Sequence, residues 1–490
     1  MPRRPLTCLA VLFATLAVTG CATNPATGKQ DIVFMSEAEE IKMGEAEAAK
    51  ALQQYARYDD EELQDYVNQV GQRVVAVSHR SQMPFKVTVL DSEQVNAFAV
   101  PGYIFVYRGL LAYLNSEAEL AAVLGHEVAH VTARHAVRSD AGQTATAVGA
   151  TILGILTQSA DVANIAGTAG TALGFSYSRE QELEADKLGA EYVARMGYDP
   201  IAIVDTLRIM RNQESFEIQT ARAENRPAQI YHGIYDTHPE FETRLQAAQE
   251  AATAARAAYP GNYRPPGRDV YLDQIQGMAF GSSAAEGVAR GNRFYHADMG
   301  FTVAFPSGWI IKNTPRSVLA LPPQRDAVLE LAAQPVPPNM SPREFLTRAL
   351  NGVPVSGGEE LRQYGLEGYT AIARNVPLDW GTPGTARFAV IYMNGMGYIF
   401  KGSTRLAGAM SANDPLFVSS IRTFRRLKDS EYELADANRI ELLKVTPGTN
   451  IAGLAAKSPI RPYPAEQLRM LNDLYPKGEP TPGEIIKIVK

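Results

Sequence analysis

The sequence predicts an α+β fold: a mainly helical N-terminal domain with a small sheet, then an α+β module and a small terminal unit. Amphipathic segments with helix-capping signals are frequent up to residue 258. Short runs of alternating hydrophobicity dominate residues 290–428, which favours strands. Between these regions, the Pro/Gly-rich stretch AAYPGNYRPPGRD breaks the helical pattern. The 490 residues therefore divide into several domains.

The N-terminus predicts export and a lipid anchor. Arg3 and Arg4 precede the apolar run PLTCLAVLFATLAVT, which has the length of a signal peptide's hydrophobic region. The small residues VTG then precede Cys21, a pattern that resembles a bacterial lipobox. We expect residues 1–20 to be removed and Cys21 to be lipidated; an ordinary secretion signal cleaved nearby is the alternative. Loss of Cys8 with the signal would leave the mature chain without a free thiol or a disulfide.

The residue after Cys21 indicates the location. It is Ala22 rather than aspartate, which by resemblance to Gram-negative lipoproteins points to the outer membrane. We therefore expect a periplasmic protein that its acyl chains hold at the outer membrane. The net charge of −6 and the absence of a long basic run argue against nucleic acid as a partner.

Local signals mark the elements of the N-terminal domain, residues 21–258. Ser36 and Glu39 form a capping box that opens a first helix, and a second helix follows at residues 60–78. The runs FKVTVLD and YIFVYRG alternate like strands, with VPG as a turn between them. Further helices are predicted over residues 116–138, over residues 179–196 and from Asp199 and Pro200 onward.

The remaining segments are predicted as a linker, an accessory α+β module that docks partners or substrates, and a terminal unit, at residues 259–289, 290–428 and 437–490. The uncharged stretch 141–160 favours a buried or membrane-surface helix over a membrane span. Two long segments are candidates for lids over an active site, residues 141–177 and residues 212–236.

The helix predicted over residues 116–138 carries the sequence HEVAH. His126 and His130 are one helical turn apart, so their imidazoles point the same way and suit two bonds to zinc. Glu127 is rotated by about 100° around the helix axis. It therefore lies beside the metal, where a general base is needed. His135 is interpreted as a hydrogen-bonding histidine rather than a ligand. A structural histidine pair without a metal is the alternative.

A catalytic zinc needs a third protein ligand and one open position. The next predicted helix contains Glu182 and Asp186, which are four residues apart and share a face. One carboxylate could bind zinc while the other accepts a ring N–H from a ligand histidine. Spacing alone does not separate Glu182 from Glu180 and Glu184, and a solvated acidic helix is the alternative.

The sequence HEVAH, followed some fifty residues later by SREQELEADKLG, resembles the HtpX/BepA-like zinc metalloproteases of peptidase family M48. The resemblance extends from NPATGKQ, through VNAFAVPGYIFVYRGLL, to THPEFETRL. It implies a zincin-type metallopeptidase domain with one Zn²⁺ per chain. The ligands that it implies are His126, His130 and Glu182.

The resemblance also implies roles for residues around the metal. Glu127 is the base and Asp186 supports the site. His238 and Arg244 stabilise the oxyanion, or His238 occludes the zinc in a resting state. We also expect an extended peptide to pair with a sheet edge near three consecutive residues, Asn96, Ala97 and Phe98. A turn residue is the alternative for Asn96.

The terminal unit is similar to a LysM domain, on the sequences TPGTNIAGLA, LRMLNDL and PGEIIKIV. LysM units bind N-acetylglucosamine polymers, so peptidoglycan is a candidate partner. Thr449 and Asn450 stand where Asp-Thr is usual, which weakens the expectation of glycan binding.

These observations favour a zinc-dependent endopeptidase of the bacterial envelope that hydrolyses misfolded or unassembled proteins. The alternative is a non-proteolytic envelope scaffold or chaperone, with a structural zinc and C-terminal modules that bind glycan or protein. A zinc-dependent peptidoglycan hydrolase is a third hypothesis. The glutamate at position 127 favours a catalytic zinc site over a structural one, because a structural site has no use for a general base.

Overall fold

The computed structural model describes residues 21–26, 28, 30–32, 35–138, 177–224, 241–314 and 316–490. Over these residues the fold is α+β, as predicted. The sheet content exceeds the small sheet expected, because the second half contains a seven-stranded sheet. Within the same residues, no helix combines the length and apolarity that crossing a membrane requires. The predicted signal peptide and the stretch 141–160 lie outside the described residues.

The first part of the chain is mainly helical. Its elements are β1 (Cys21–Thr23), β2 (Gln30–Ile32), α1 (Glu37–Gln54), α2 (Glu61–Ala76), β3 (Lys86–Leu90), β4 (Ala97–Val100), β5 (Tyr103–Tyr107), α3 (Arg108–Tyr113), α4 (Glu117–Thr132), α5 (His135–Arg138), α6 (Arg179–Arg195), α7 (Ala202–Ala223), α8 (Phe241–Ala258) and α9 (Arg268–Ile275). The capping box predicted for Ser36 and Glu39 opens α1. The helix predicted from Asp199 begins slightly later, because the Asp199 carboxylate accepts a hydrogen bond from the Ile201 N–H in a preceding turn.

The helix predicted over residues 116–138 is interrupted. It ends at Thr132, and the short helix α5 begins after Arg134, whose φ is 57°. This left-handed residue changes the direction of the chain, so α5 does not continue the axis of α4. Two separate helices therefore replace the single one predicted.

The small sheet next to α4 has the strand order β3–β5–β4. β5 pairs in parallel with β3 and antiparallel with β4, so β4 forms one edge. The strands predicted from FKVTVLD and YIFVYRG are β3 and β5.

Helix α4 runs through the core, and every residue of it except Glu119 is buried. It crosses α6 at the point where Gly125 of α4 packs against Gly189 of α6. A Cβ on Gly125 would lie 3.3 Å from the Gly189 carbonyl oxygen, and one on Gly189 would lie 3.1 Å from the His126 nitrogen. Contacts this short are rare for real side chains. The two glycines therefore allow the close approach that brings the histidines of α4 to the carboxylates of α6.

The accessory module has two antiparallel sheets, ordered β17–β9–β8–β7 and β10–β11–β12–β16–β15–β14–β13. Its elements are β7 (Val288–Arg290), β8 (Arg293–His296), β9 (Phe301–Ala304), β10 (Ile310–Asn313), β11 (Ser317–Leu321), β12 (Ala327–Pro335), α10 (Pro342–Ala349), β13 (Val355–Gln363), β14 (Leu366–Val376), β15 (Gly384–Met393), β16 (Met396–Thr404), α11 (Met410–Ile421) and β17 (Arg425–Arg426). Phe294, Phe400 and Phe417 are fully buried and belong to a core of the module's own.

The chain enters and leaves the accessory module through neighbouring strands. β6 (Ala279–Phe280) precedes the module and pairs antiparallel with β18 (Asn438–Lys444), which follows it. β18 also pairs with β19 (Ile485–Val489), and α12 (Ile451–Lys457) and α13 (Pro464–Leu471) lie between these strands in sequence. The similarity of this unit to LysM stays a prediction.

The terminal unit shares the hydrophobic core of the helical part. Ile440 and Leu471 belong to the same cluster as Leu124 of α4. Lys487 is fully buried, and its ammonium donates to the carbonyl oxygens of Ala112 and Leu114, at 2.8 and 2.6 Å. The segment 259–289, predicted as a linker, includes α9, whose buried residues Tyr271, Leu272 and Ile275 join the same core.

Candidate metal centre

Two helices bring His126, His130 and Glu182 together at the crossing of α4 and α6. The Nε2 atoms of the two histidines are 3.0 Å apart. The Glu182 carboxylate oxygens lie 3.6 Å from His126 Nε2 and 3.5 Å from His130 Nε2. Three tetrahedral ligands at zinc-bond lengths of roughly 2.0–2.1 Å would lie about 3.3 Å from one another. The three donor atoms are therefore spaced to hold a zinc-sized cation.

All three side chains of this group are buried, and Glu182 is completely so. Burial raises the pKa of the Glu182 carboxyl to about 7, although the positive charge of Arg244 acts to lower it. Burial also lowers the pKa of His126, which keeps its ring neutral. A neutral imidazole has the free lone pair that a metal ligand needs.

Glu127 lies beside the three donors, close to Glu182. Its carboxylate is buried and accepts a hydrogen bond from the Ala99 N–H of β4. Burial, reinforced by the charge of Glu182, raises the pKa of Glu127 to about 8. A carboxyl group with a raised pKa can take up and give back a proton near neutral pH.

Asp186 and Arg244 form a buried clamp behind the group. Asp186 Oδ1 is 2.9 Å from Nδ1 of His126, a hydrogen bond that leaves Nε2 facing Glu182. Arg244 donates two hydrogen bonds to Asp186, at 2.8 and 2.7 Å, and its Nη1 is 3.0 Å from Glu182. Burial opposes ionisation of Asp186, but Arg244 outweighs it and holds the pKa of this carboxyl well below its usual value. Arg244 thus contacts the two carboxylates, and oxyanion stabilisation by Arg244 stays a prediction.

Three residues near His130 were not assigned to the site from the sequence: Tyr177, His135 and Glu184. The Tyr177 ring stacks on the His130 ring, with 3.9 Å between centroids and 20° between planes. His135 Nδ1 is 2.8 Å from His130 Nδ1, and His135 Nε2 is 2.9 Å from the Glu184 carboxylate. His135 was interpreted as a hydrogen-bonding residue and is absent from the group that could hold a metal. On a continuous helix it would lie about 7.5 Å along the axis from His130. The turn at Arg134 brings the two rings into contact.

The residues expected to bind substrate lie at the start of the edge strand. Asn96 and Ala97 are buried, and Phe98 stacks on Phe105 with 4.9 Å between ring centroids. The Asn96 side-chain oxygen makes no hydrogen bond within the described residues. The same strand donates the Ala99 N–H to Glu127. The edge of β4 and the base are therefore adjacent.

Some predicted residues cannot be compared with the structure. His238 lies outside the described residues, as does the lid candidate 141–177 except for its last residue. The second lid candidate, 212–236, is helical up to Ala223, as part of α7, and lies outside the described residues from 225 onward. Cys21 begins β1, where its backbone pairs with Ile32.

Two imidazoles and a carboxylate from crossing helices, with a second glutamate beside them, define a metallopeptidase-type centre. The sequence around this centre matches the model of peptidase family M48 over residues 61–252. Residues 61–252 of this chain form a peptidase family M48 domain.

Curated relatives agree with the family. The chain is 30% identical to the β-barrel assembly-enhancing protease of Escherichia coli (strain K12) over 244 residues, 48% of each chain. It is 33% identical to the protein of the same name from Yersinia pestis over 39% of each chain. It is 35% identical to mitochondrial metalloendopeptidase OMA1 of Arabidopsis thaliana over 29% of each chain. The matches thus span about half or less of these relatives' lengths.

Among solved structures, the solution structure of cyanobacterial PsbP from Synechocystis sp. PCC 6803 aligns with 29% of this chain and 95% of that chain. The identity is 17% and the TM-score 0.23, which is too weak a likeness to support an argument.

Proposed function

We propose that this chain is a zinc-dependent endopeptidase of the bacterial envelope that hydrolyses misfolded or unassembled proteins. One observation carries the proposal: Glu127, a buried base, lies beside three donor atoms spaced for zinc and is hydrogen-bonded to the edge strand β4. A structural metal site would need a fourth protein ligand in place of such a base.

The residues present fit the zinc that the family implies, since two imidazoles and one carboxylate are a common catalytic donor set. Zinc bound there would supply Lewis acidity to the scissile carbonyl and to the attacking water. Glu127 takes the proton from that water and delivers it to the leaving amine. Asp186 orients His126, while Arg244 keeps Asp186 charged and also contacts Glu182. His238 and Arg244 are candidates for contacts to the developing oxyanion.

The substrate class follows from the edge strand. An extended peptide pairs with β4 through backbone hydrogen bonds, near Asn96, Ala97 and Phe98. Backbone pairing recognises an extended chain and reads little of its sequence. An enzyme built in this way cleaves segments that have lost or not yet reached their fold, and it leaves compact proteins intact.

The envelope setting is part of the proposal. The signal sequence and Cys21 favour a lipid anchor, at the outer membrane because Ala22 follows. Two relatives are named for the assembly of β-barrel proteins, which supports substrates among unassembled envelope proteins. Peptidoglycan is a further candidate partner, through the LysM-like unit at residues 437–490.

A cleavage assay tests the proposal. Wild type and Glu127→Gln are loaded with zinc and incubated with denatured casein and with isolated muropeptides. We expect the wild type to cleave casein only, and Glu127→Gln to bind zinc equally but to lose at least a hundredfold in rate. Glu191→Gln is the matched control, since Glu191 is on α6 and hydrogen-bonded to Tyr259 instead of the metal group. Equal casein cleavage by wild type and Glu127→Gln would contradict the proposed proteolytic function. Cleavage of muropeptides by the wild type would favour a zinc-dependent peptidoglycan hydrolase instead.

A further inference from the structure

We propose that His135 is a positioning residue that, together with Glu184, fixes the ring of His130 in the orientation and tautomer that bind the metal. The inference rests on the proposed metal centre and adds to it a second, separate support. The first support is the clamp of Asp186 and Arg244, which acts on His126.

The hydrogen-bond chain has one consistent direction. For His130 to bind a metal through Nε2, its ring hydrogen must be on Nδ1. His135 Nδ1, 2.8 Å away, must then accept that hydrogen bond, which leaves the His135 hydrogen on Nε2. Glu184 is placed to accept it, with Oε2 at 2.9 Å from His135 Nε2. Both rings are neutral in this arrangement, and no hydrogen faces another.

Each member of the chain is itself held in place. His135 is fully buried, and its backbone carbonyl accepts a hydrogen bond from the Gln181 side chain at 3.2 Å. Arg138 donates to the Glu184 carboxylate at 2.7 Å. The stacked Tyr177 ring covers one face of the His130 ring. The His130 ring therefore cannot turn without breaking contacts on its edge and on its face.

The two ligand histidines thus depend on different carboxylates. Asp186 contacts His126 directly, whereas Glu184 reaches His130 through an intervening ring. Glu184 is also one of the acidic residues that spacing on α6 leaves unassigned. Losing a partner that orients a metal ligand typically lowers metal affinity about 10–100-fold. Loss of the His135 acceptor alone is therefore expected to weaken zinc binding by that factor.

A pair of nearly isosteric substitutions isolates the hydrogen bond. His135→Leu fills the site without an acceptor, whereas His135→Asn offers an amide oxygen near the position of Nδ1. Zinc affinity is measured on the full chain by competition with a chromophoric chelator, and the ligand field is followed by the visible spectrum of the Co²⁺ form. We expect about 10–100-fold weaker zinc binding and an altered cobalt spectrum for His135→Leu, with recovery of both in His135→Asn.

His79→Leu is the matched control. His79 is half-buried and hydrogen-bonded to Tyr192 at 2.8 Å, and it is not in the metal group. Its loss is expected to leave zinc affinity unchanged. Thermal unfolding in chelator, compared between His135→Leu and His135→Asn, separates lost metal affinity from lost stability.

Two outcomes would overturn the inference: zinc binding by His135→Leu as tight as that of wild type, or zinc binding by His135→Asn as weak as that of His135→Leu. A wild type that binds zinc but cleaves no protein would refute the proposed function and leave the positioning role standing. A wild type that cleaves, with His135→Leu at full affinity, would refute the positioning role alone.

Discussion

In the metal-free protein, Arg244 is the positively charged partner of two buried carboxylates, Asp186 and Glu182. Its side chain is 3% exposed, and the side chains of Asp186 and Glu182 are 1% and 0% exposed. Arg244→Met keeps most of the volume but leaves both carboxylates without their positive partner. Removing one partner of a buried ion pair typically costs about 3–5 kcal/mol. We expect a loss of that size in the free energy of unfolding when chelator is present.

Zinc should reduce this loss. A bound cation would replace Arg244 as the positive partner of Glu182, so less uncompensated charge remains in the Arg244→Met protein. We therefore expect the difference from wild type to be smaller in zinc than in chelator. Asp186→Asn, combined with Arg244→Met, should recover part of the stability, because an amide oxygen still accepts from His126 and carries no charge.

The assay can separate the two halves of the chain. Both tryptophans, Trp309 and Trp380, are in the accessory module, whereas the helices are concentrated in the peptidase part. Urea unfolding followed by far-UV circular dichroism should report the loss, and tryptophan fluorescence should change less. Arg256→Met is the matched control on the same helix: its ion pair with Asp199 is exposed, so we expect about 0–1 kcal/mol. An Arg244→Met loss no larger than this control would refute the reasoning.

Four further predictions follow from single contacts. Gly189→Ala should weaken zinc binding, because its Cβ would lie 3.1 Å from the His126 nitrogen and push α4 away from α6. Competition with a chelator measures the zinc affinity, and an unchanged affinity would contradict this prediction. Lys487→Met should lower the free energy of unfolding, measured in urea, by about 1–3 kcal/mol, since two buried carbonyl groups lose their donor; a free energy equal to that of wild type would refute it. Cys21→Ala should abolish labelling with radioactive palmitate, whereas Cys8→Ala should not; equal labelling would exclude the anchor. Hydrogen bonding to Arg425 lowers the pKa of Glu431 to about 2. The stability that this ion pair contributes is present above about pH 4.3 and is lost as the pH falls towards 2. Acid unfolding followed by tryptophan fluorescence should therefore be less steep in Glu431→Gln than in wild type.

The local parts of the site could be predicted from sequence. His126 and His130 face one way because a helix repeats every 3.6 residues, and Glu182 and Asp186 do so for the same reason. Both pairs lie on the predicted helices and meet in the structure. The family resemblance selected Glu182 among its acidic neighbours, and its carboxylate is the one in the metal group.

The other contacts depend on how separate elements meet. The turn at Arg134 has no glycine or asparagine to announce its positive φ, so the return of His135 to His130 could not be read from the spacing. Likewise, Arg244 comes from a helix about sixty residues after Asp186, and nothing local indicates that the two are paired. The shared core of the terminal unit was not predicted, since a lysine in a closing strand ordinarily faces solvent.

The pairing of β6 with β18 bears on how the molecule is made. Part of the core around α4 is supplied by strands and helices between residues 438 and 489, after the whole accessory module. A nascent chain that has not yet reached residue 485 lacks β19 and the ammonium that caps the carbonyls ahead of α4. The core of the peptidase part is therefore complete only when the C-terminal residues are present, and a chain that ends before residue 485 would lack these contacts next to α4.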